Sequence, residues 1–275
     1  MKRVNCERIF PSERTNPKGG FMGAPFLWFV SLGEQRNEQR CWALVTLLLD
    51  FRAHSMFIRR MFLIVTGGDP PGTDLLVGLS RKAGMIIAAD KGSLYCLEAG
   101  VTPHLVVGDL DSAPTDVSGK LAEMGVEVKR FSTRKDSTDT QIALDEAINR
   151  GAEDVEIVGA FGDRFDHVLA NVHLLRRALK AGVKARIVSD TQQIFLVDSE
   201  YILEGRQGST VSFLPLTEAV DGITLDGFAY GLIDANMEIG NPYGVSNVVL
   251  EPHAKVKVKS GILVTVLSNK GPGSA

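Results

Sequence analysis

The spacing of apolar and polar positions divides the chain into two regimes. From Met61 onward, short apolar runs at 62–65, 85–89, 105–107, 126–128, 155–158 and 185–188 stand between more polar stretches. Most are apolar at successive positions, as strands buried on both faces of a parallel sheet must be. Helical patterns lie between them. Ser137 and Thr138 are placed to cap a helix that carries Leu144, Ala147 and Ile148 on one side and ends at Gly151. Val168, Val172, Leu175 and Leu179 repeat at the helical period after Asp166, and Gly182 stands where a terminating glycine belongs. This alternation predicts an α/β fold with a doubly wound, mostly parallel sheet over residues 61–190.

The pattern then changes. Runs at 194–197, 201–203, 209–213, 222–225, 247–251, 254–259 and 262–267 follow one another with only turns between. Lys255-Val256-Lys257-Val258-Lys259 alternates strictly, which predicts an antiparallel strand with one buried face. Residues 191–270 therefore read as a small antiparallel β-sandwich domain, and 271–275 as a flexible tail.

Composition adds a seam at Met61. The first sixty residues hold ten Lys and Arg against five Asp and Glu, a net of +5. The remaining 215 hold twenty against twenty-eight, a net of −8, which together make the −3 of the whole chain. Both tryptophans, Trp28 and Trp42, fall before the seam. Residues 1–60 are expected to be an extension from an upstream start, with the functional chain opening at Met61. Three irregularly spaced cysteines exclude a disulfide scaffold and a zinc ribbon, and point to a reducing, cytoplasmic setting. The acidic balance argues against a nucleic-acid partner. The longest apolar runs, at 26–30 and 41–49, fall short of the roughly 20 residues a membrane span needs.

Ligands of an open α/β sheet bind beyond the carboxyl ends of its strands. Acidic residues and glycines gather at those positions here. Asp90 follows one predicted strand, Gly108-Asp109-Leu110-Asp111-Ser112 the next, and Lys135-Asp136-Ser137-Thr138-Asp139 the one after. Gly159-Ala160-Phe161-Gly162-Asp163-Arg164-Phe165-Asp166-His167 follows the strand at 155–158. Asp109 and Asp111, two apart on an extended exit, present two carboxylates to one side. Such a pair fits Mg²⁺, which takes one or two carboxylates along with waters and phosphates, and it equally fits an ordinary turn. Four acidic loops at successive strand ends favour the cation, since clustered carboxylates repel one another without one. Lys135 and Arg164 in the same loops suit a polyphosphate, or surface pairing with neighbouring Asp. Asn171 lies one turn beyond His167 on the same helix side. Gly67-Gly68-Asp69-Pro70-Pro71-Gly72 matches neither a dinucleotide fingerprint nor a Walker loop and reads as a turn, with a place near a ligand left open. Cys96 reads as a core residue.

Five segments in this order, Ala89-Asp90-Lys91-Gly92, Gly108 to Ser112, Lys135 to Asp139, Gly159 to His167, and Gly244-Val245-Ser246-Asn247, resemble the thiamine pyrophosphokinase family. The likeness spans about residues 61–268. It implies an α/β ATP-binding domain followed by a β-sandwich, assembled as a homodimer. It also implies Mg²⁺-dependent transfer of a pyrophosphoryl group from ATP to the hydroxyl of thiamine, giving thiamine diphosphate and AMP. Carried over residue by residue, it places Mg²⁺ on Asp109, Asp111 and Asp139. Lys135, Asp136, Thr138, Arg164, Asp166, His167 and Asn171 surround ATP and the transferred group. Asp90 lies near the substrate hydroxyl. Tyr230 is the ring stacked on thiamine, and Ser246 and Asn247 lie near its pyrimidine. Two departures stand out. Asp163 replaces the family's second glycine before Arg164, and Ala229 replaces its lysine before the aromatic. The rival readings are a pyrophosphokinase for another hydroxymethyl heterocycle, such as a pterin, and a binding protein without turnover.

Overall fold

Each apolar run predicted after Met61 is a strand in the computed structural model, which describes residues 60–108, 115–130, 137–241 and 243–268. Residues 1–59, the 271–275 tail, and Asp109, Asp111, Lys135 and Asp136 lie outside the described residues. The first six strands are β1 (Met61–Val65), β2 (Met85–Ala89), β3 (Leu105–Gly108), β4 (Glu127–Arg130), β5 (Asp154–Val158) and β6 (Lys184–Val188). They pair in parallel in the order β4-β3-β2-β1-β5-β6.

Helices α1 (Thr73–Ser80), α2 (Gly92–Glu98) and α3 (Thr115–Glu123) follow the first three strands, and α4 (Asp139–Asn149) and α5 (Phe165–Lys180) the next two. The central strand shows why the sequence reads as it does. Phe62 and Ile64 of β1 pack with Leu144 of α4 and Leu175 of α5, while Leu63 and Val65 pack with Leu76 of α1, Cys96 of α2 and Leu121 of α3. Both faces of the strand are covered, so every position must be apolar. Leu63, Ile64 and Val65 are fully buried. Each such side chain contributes about 1.5–3 kcal/mol by leaving water. Thr138 supplies the expected cap, its hydroxyl accepting the Gln141 N–H at 3.2 Å.

The second half does not start a separate sheet. Strand β7 (Gln192–Val197) turns back antiparallel on β6, and β14 (Leu263–Ser268), β9 (Thr210–Pro215) and β12 (Asn247–Val248) continue outward to make one ten-stranded sheet. A four-stranded sheet covers this antiparallel part, in the order β11 (Leu232–Glu238), β10 (Ala219–Asp226), β13 (His253–Lys257), β8 (Glu200–Glu204). Phe213, Val211 and Leu263 of the large sheet meet Ile223, Val256 and Leu203 of the small one. On the opposite face, Ile194 and Val264 join the core under α5. The predicted sandwich is thus present, and one of its layers is the prolongation of the α/β sheet. Lys255 and Lys257 face out toward Glu200, while Ala254 and Val256 are fully buried, as the alternation requires.

Two elements differ from the periodic pattern. Strand β11 was invisible to it, because Leu232-Ile-Asp-Ala-Asn-Met-Glu238 buries only Met237 and is recruited by pairing with β10. The run at 247–251 keeps ladder pairing for two residues only. Beyond them Val249 bridges Phe228, and Leu250 donates its N–H to Gly227 at 2.8 Å.

Candidate active site

The strand order creates the site. The chain leaves β1 toward α1 on one face of the sheet and leaves β5 toward α5 on the other. Beyond the paired exits the chain runs to helices on opposite faces, and a crevice opens at the point where the winding reverses. Its volume is about 600 Å³, which suits a small-molecule ligand. Thr66 to Asp69 after β1, Asp90 and Lys91 after β2, Thr138 to Thr140 at the start of α4, and Gly159 to Arg164 after β5 form its walls, together with His167, Val168 and Asn171 of α5.

Backbone hydrogen bonds hold the two exits together. Thr66 N–H donates to Val158 O at 2.9 Å, Gly68 N–H to Gly159 O at 2.8 Å and Asp69 N–H to Phe161 O at 2.7 Å. The exits lie so close that side chains are excluded. A Cβ on Gly68 would stand 2.0 Å from Phe161 O, and one on Gly159, whose φ is +69°, would stand 2.4 Å from Thr66 O. The third exit follows the same rule. A Cβ on Gly92 would meet Val65 O at 2.0 Å, so only glycine lets α2 begin this close to β1. Just before it, Asp90 takes a left-handed backbone (φ +50°), and its N–H donates to Val107 O at 3.0 Å. A non-glycine residue in this region is uncommon and clusters at functional sites.

Asp90, Thr138, Asp139, Arg164, His167 and Asn171, six of the residues singled out from sequence, therefore converge on one crevice. Asp166 does not line it. It is exposed and holds Arg164, with the guanidinium donating through Nη2 at 2.6 Å and Nε at 3.3 Å. That fork keeps the Arg164 cation above its ordinary range and the Asp166 carboxyl below its own. Asn171 is buried, and its amide donates to Ala160 O at 2.9 Å, bracing the β5 exit from beneath. Both α4 and α5 direct their N-termini into the crevice, where the helix dipole favours anions. The Asp90 and Asp139 carboxylates are hard oxygen donors of the kind Mg²⁺ takes. Strand β3 ends at Gly108, against the backbone of Asp90, so the exit leading to Asp109 and Asp111 starts beside this crevice. Among the described residues no three His, Cys, Asp or Glu side chains form a metal cluster by themselves.

The β1 exit, read from sequence as a turn with a place near a ligand left open, gives the crevice Gly67, Gly68 and Asp69 of its lining. The signal was available in their position at a strand exit, but only the strand order shows that this exit faces the reversal of winding.

A second group forms in the sandwich. Tyr230 is 70% exposed, and the backbone of its segment is clamped by Asn247. The Asn247 Oδ1 accepts the Tyr230 N–H at 3.0 Å, and its Nδ2 donates to Tyr230 O at 2.8 Å. The same Oδ1 accepts the Val248 N–H, so both ends of the buried amide are engaged. Ser246, exposed and at φ +60°, donates its N–H to the Ser212 hydroxyl at 3.0 Å. The structure thus brings Tyr230, Ser246 and Asn247 together, with Asn247 turned inward as a brace.

Two family profiles match the chain. The first, described as thiamin pyrophosphokinase, catalytic domain, matches residues 77–187, and the second, thiamin pyrophosphokinase, vitamin B1 binding domain, matches 199–263. The thiamine pyrophosphokinase of Bacillus subtilis is 29% identical over 207 residues, covering 74% of this chain and 97% of that protein. The crystal structure of the Bacillus subtilis enzyme superposes with a TM-score of 0.70 at 28% identity, over 76% of this chain and 99% of that one. The thiamin pyrophosphokinase of Geobacillus thermodenitrificans gives 0.66 at 28% identity, over 76% and 98%. With both family domains matched in order and the fold shared along nearly the full length of the bacterial enzymes, the chain belongs to the thiamin pyrophosphokinase family.

Proposed function

We propose that this protein transfers the pyrophosphoryl group of ATP to the hydroxyl of thiamine, with Mg²⁺. The observation that carries this reading is the meeting of acidic, basic and helix-terminal groups in the switch-point crevice beside the strand exit to Asp109 and Asp111. The N-termini of α4 and α5, with Arg164 and Lys135, bind the polyphosphate. Asp109, Asp111 and Asp139 hold Mg²⁺, which neutralises phosphate charge when bound. Thr138 and His167 line the nucleotide wall, with Asp136 in the same loop, and Asn171 keeps the β5 exit in place. Tyr230 offers an exposed ring to the thiamine heterocycles beside Ser246, and Asn247 fixes that ring's backbone.

In the transfer, the thiamine hydroxyl oxygen forms a bond to the β-phosphorus. The bond between that phosphorus and the oxygen bridging to the α-phosphorus breaks, and AMP departs with the electron pair. The hydroxyl proton passes to a carboxylate at the site, for which Asp90 is the candidate. The protein's share of this chemistry is positioning and charge neutralisation. Arg164 is prepared for its part by Asp166, which holds the guanidinium fork before phosphate arrives. The homodimer fits the apolar side chains Tyr230, Ile233, Ile239, Tyr243, Val245 and Leu250, all exposed along one stretch of the sandwich domain. Among the described residues no helix is long and apolar enough to cross a membrane.

The test is direct. Protein, ATP, Mg²⁺ and thiamine are mixed, and AMP and thiamine diphosphate are quantified by chromatography. Equal amounts of the two products support the reading. ATP consumption that ignores thiamine, or transfer to a hydroxymethyl pterin in preference to thiamine, overturns it.

A further inference from the structure

Helix α2 carries a side chain that touches the crevice wall from behind. Tyr95 is half-buried, one turn along from Lys91, and its hydroxyl donates to the carbonyl of Gly68 at 2.7 Å. Gly68 is the residue whose N–H is already given to Gly159 across the strand exits. The two hydrogen bonds on this one residue leave in different directions, to the β5 exit and to α2. The loop cannot move away from β5, because that breaks the Gly68 and Asp69 bonds. It cannot move toward β5, because Gly68 already lies against the Phe161 and Gly159 carbonyls. On the α2 side Gly67 packs against Lys91, whose Cβ would be 3.1 Å from a Cβ placed there. What these bonds leave open is tilting of the Gly68–Asp69 peptide, which is pinned at its N–H by Phe161 O and would otherwise have its carbonyl end held by little, since two glycines give the segment little intrinsic stiffness. The Tyr95 hydroxyl, held by an aromatic ring with few rotatable bonds, closes that freedom.

We propose that Tyr95 is a positioning residue for the nucleotide. It fixes the Gly68–Asp69 peptide plane and so the wall that faces the polyphosphate, without itself lining the crevice. This rests on reading the crevice as the ATP site. Burial first, and then the charges of Asp69, Glu98 and Asp90, push the phenol further from ionising and keep it a donor. Pro and Gly residues later in the loop need no such support, because Gly72 is anchored separately, its N–H donating to the Asp190 carboxylate at 2.9 Å.

Tyr95→Phe is the test, since it keeps the ring and its packing and deletes the hydroxyl alone. The losses to measure are ATP affinity, by calorimetric titration of the enzyme with Mg²⁺ and ATP before thiamine is added, and then KM and kcat in the full reaction. Loss of one hydrogen bond to a partly buried carbonyl predicts ATP binding weaker by roughly three- to tenfold. KM for ATP rises by the same factor, KM for thiamine stays at its wild-type value, and the thermal midpoint falls by no more than the roughly 1–6 °C that one lost hydrogen bond costs. Unchanged ATP affinity overturns the proposal, as does a parallel loss of ATP affinity, thiamine affinity and thermal midpoint, which marks a general loosening. The two readings fail separately. A wild-type protein that binds ATP but makes no thiamine diphosphate defeats the assigned reaction and leaves the Tyr95 comparison decisive on ATP binding. A wild-type protein that binds no ATP defeats both.

Discussion

Replacing Gly68 by alanine sets the closeness of the β1 and β5 exits against catalysis. The new methyl would stand 2.0 Å from Phe161 O and 2.5 Å from Gly159 O, both of them backbone atoms that cannot rotate aside. Carbon–oxygen contacts of this kind need about 3 Å, so the exits must part by about 1 Å. The Gly68–Gly159 and Asp69–Phe161 hydrogen bonds, now 2.8 and 2.7 Å, then stretch to about 3.8 and 3.7 Å, beyond useful range. Two lost backbone bonds at about 0.5–1.5 kcal/mol each amount to about 1–3 kcal/mol. For a domain of this size that lowers the thermal midpoint by roughly 2–12 °C, which leaves the protein folded at assay temperature. Because these exits form two walls of the crevice, a shift of about 1 Å lowers kcat/KM by on the order of a hundredfold. The assay is AMP release under saturating thiamine with ATP varied, beside a calorimetric or fluorescence melt. Gly78→Ala is the matched control. It lies in α1, nothing stands within 4 Å of its new methyl, and it should hold or raise stability, by up to about 1 kcal/mol, with wild-type kinetics. Gly68→Ala with wild-type kcat/KM and melting would refute the close-approach argument.

The remaining predictions concern charge and the core. Asp139→Asn should lower turnover by on the order of a hundredfold and raise the Mg²⁺ concentration needed for half-maximal rate, with little change in melting; an unchanged Mg²⁺ dependence would remove Asp139 from the metal assignment. Glu146 accepts hydrogen bonds from Lys129 at 2.8 and 2.9 Å and from Arg150 at 3.2 Å, tying α4 to β4, and the Lys129 bond above all holds its carboxyl below the ordinary 4.5. Its contribution is therefore fully present above about pH 4.5 and is lost as pH falls through the lower folded value. Melting curves taken between pH 7 and pH 3 should show a shallower acid decline in Glu146→Gln than in wild type, and parallel curves would count against the network. Burial pushes the Cys96 thiol up to about 12, so in a Cys6→Ser, Cys41→Ser background a disulfide reagent should leave the native protein unmodified and label it on unfolding. Rapid labelling of the native form would contradict that burial.

How far the site could be read in advance depended on the kind of information each residue carries. Asp90 sits directly after an unbroken apolar run, and Thr138, Asp139, Arg164 and His167 sit in the segments that lead from β4 and β5 into the next helices, so their place at the carboxyl edge followed from the rule for open sheets. Gly67 to Asp69 sit after an equally clear strand, but their importance lies in facing β5, ninety residues away in sequence. Asn247 was expected near thiamine, and only the folded backbone shows its amide turned onto Tyr230 and Val248.

By itself, the sequence determined the strands, the capped helices and the change from parallel to antiparallel architecture. These follow from which positions must leave water, and hydrophobic periodicity records that locally. The five ordered segments also carried the family. The tertiary structure alone decided the pairing of β7 with β6, which fuses the sandwich to the α/β sheet, and the recruitment of the polar strand β11. It alone decided the closeness of the β1 and β5 exits, and the hold of Asp166 on Arg164 and of Tyr95 on Gly68. The physical reason is the same in each case. Burial is a property of single residues and leaves its mark at each position, whereas hydrogen-bond partners and close approaches are properties of pairs, which the chain brings together only by folding.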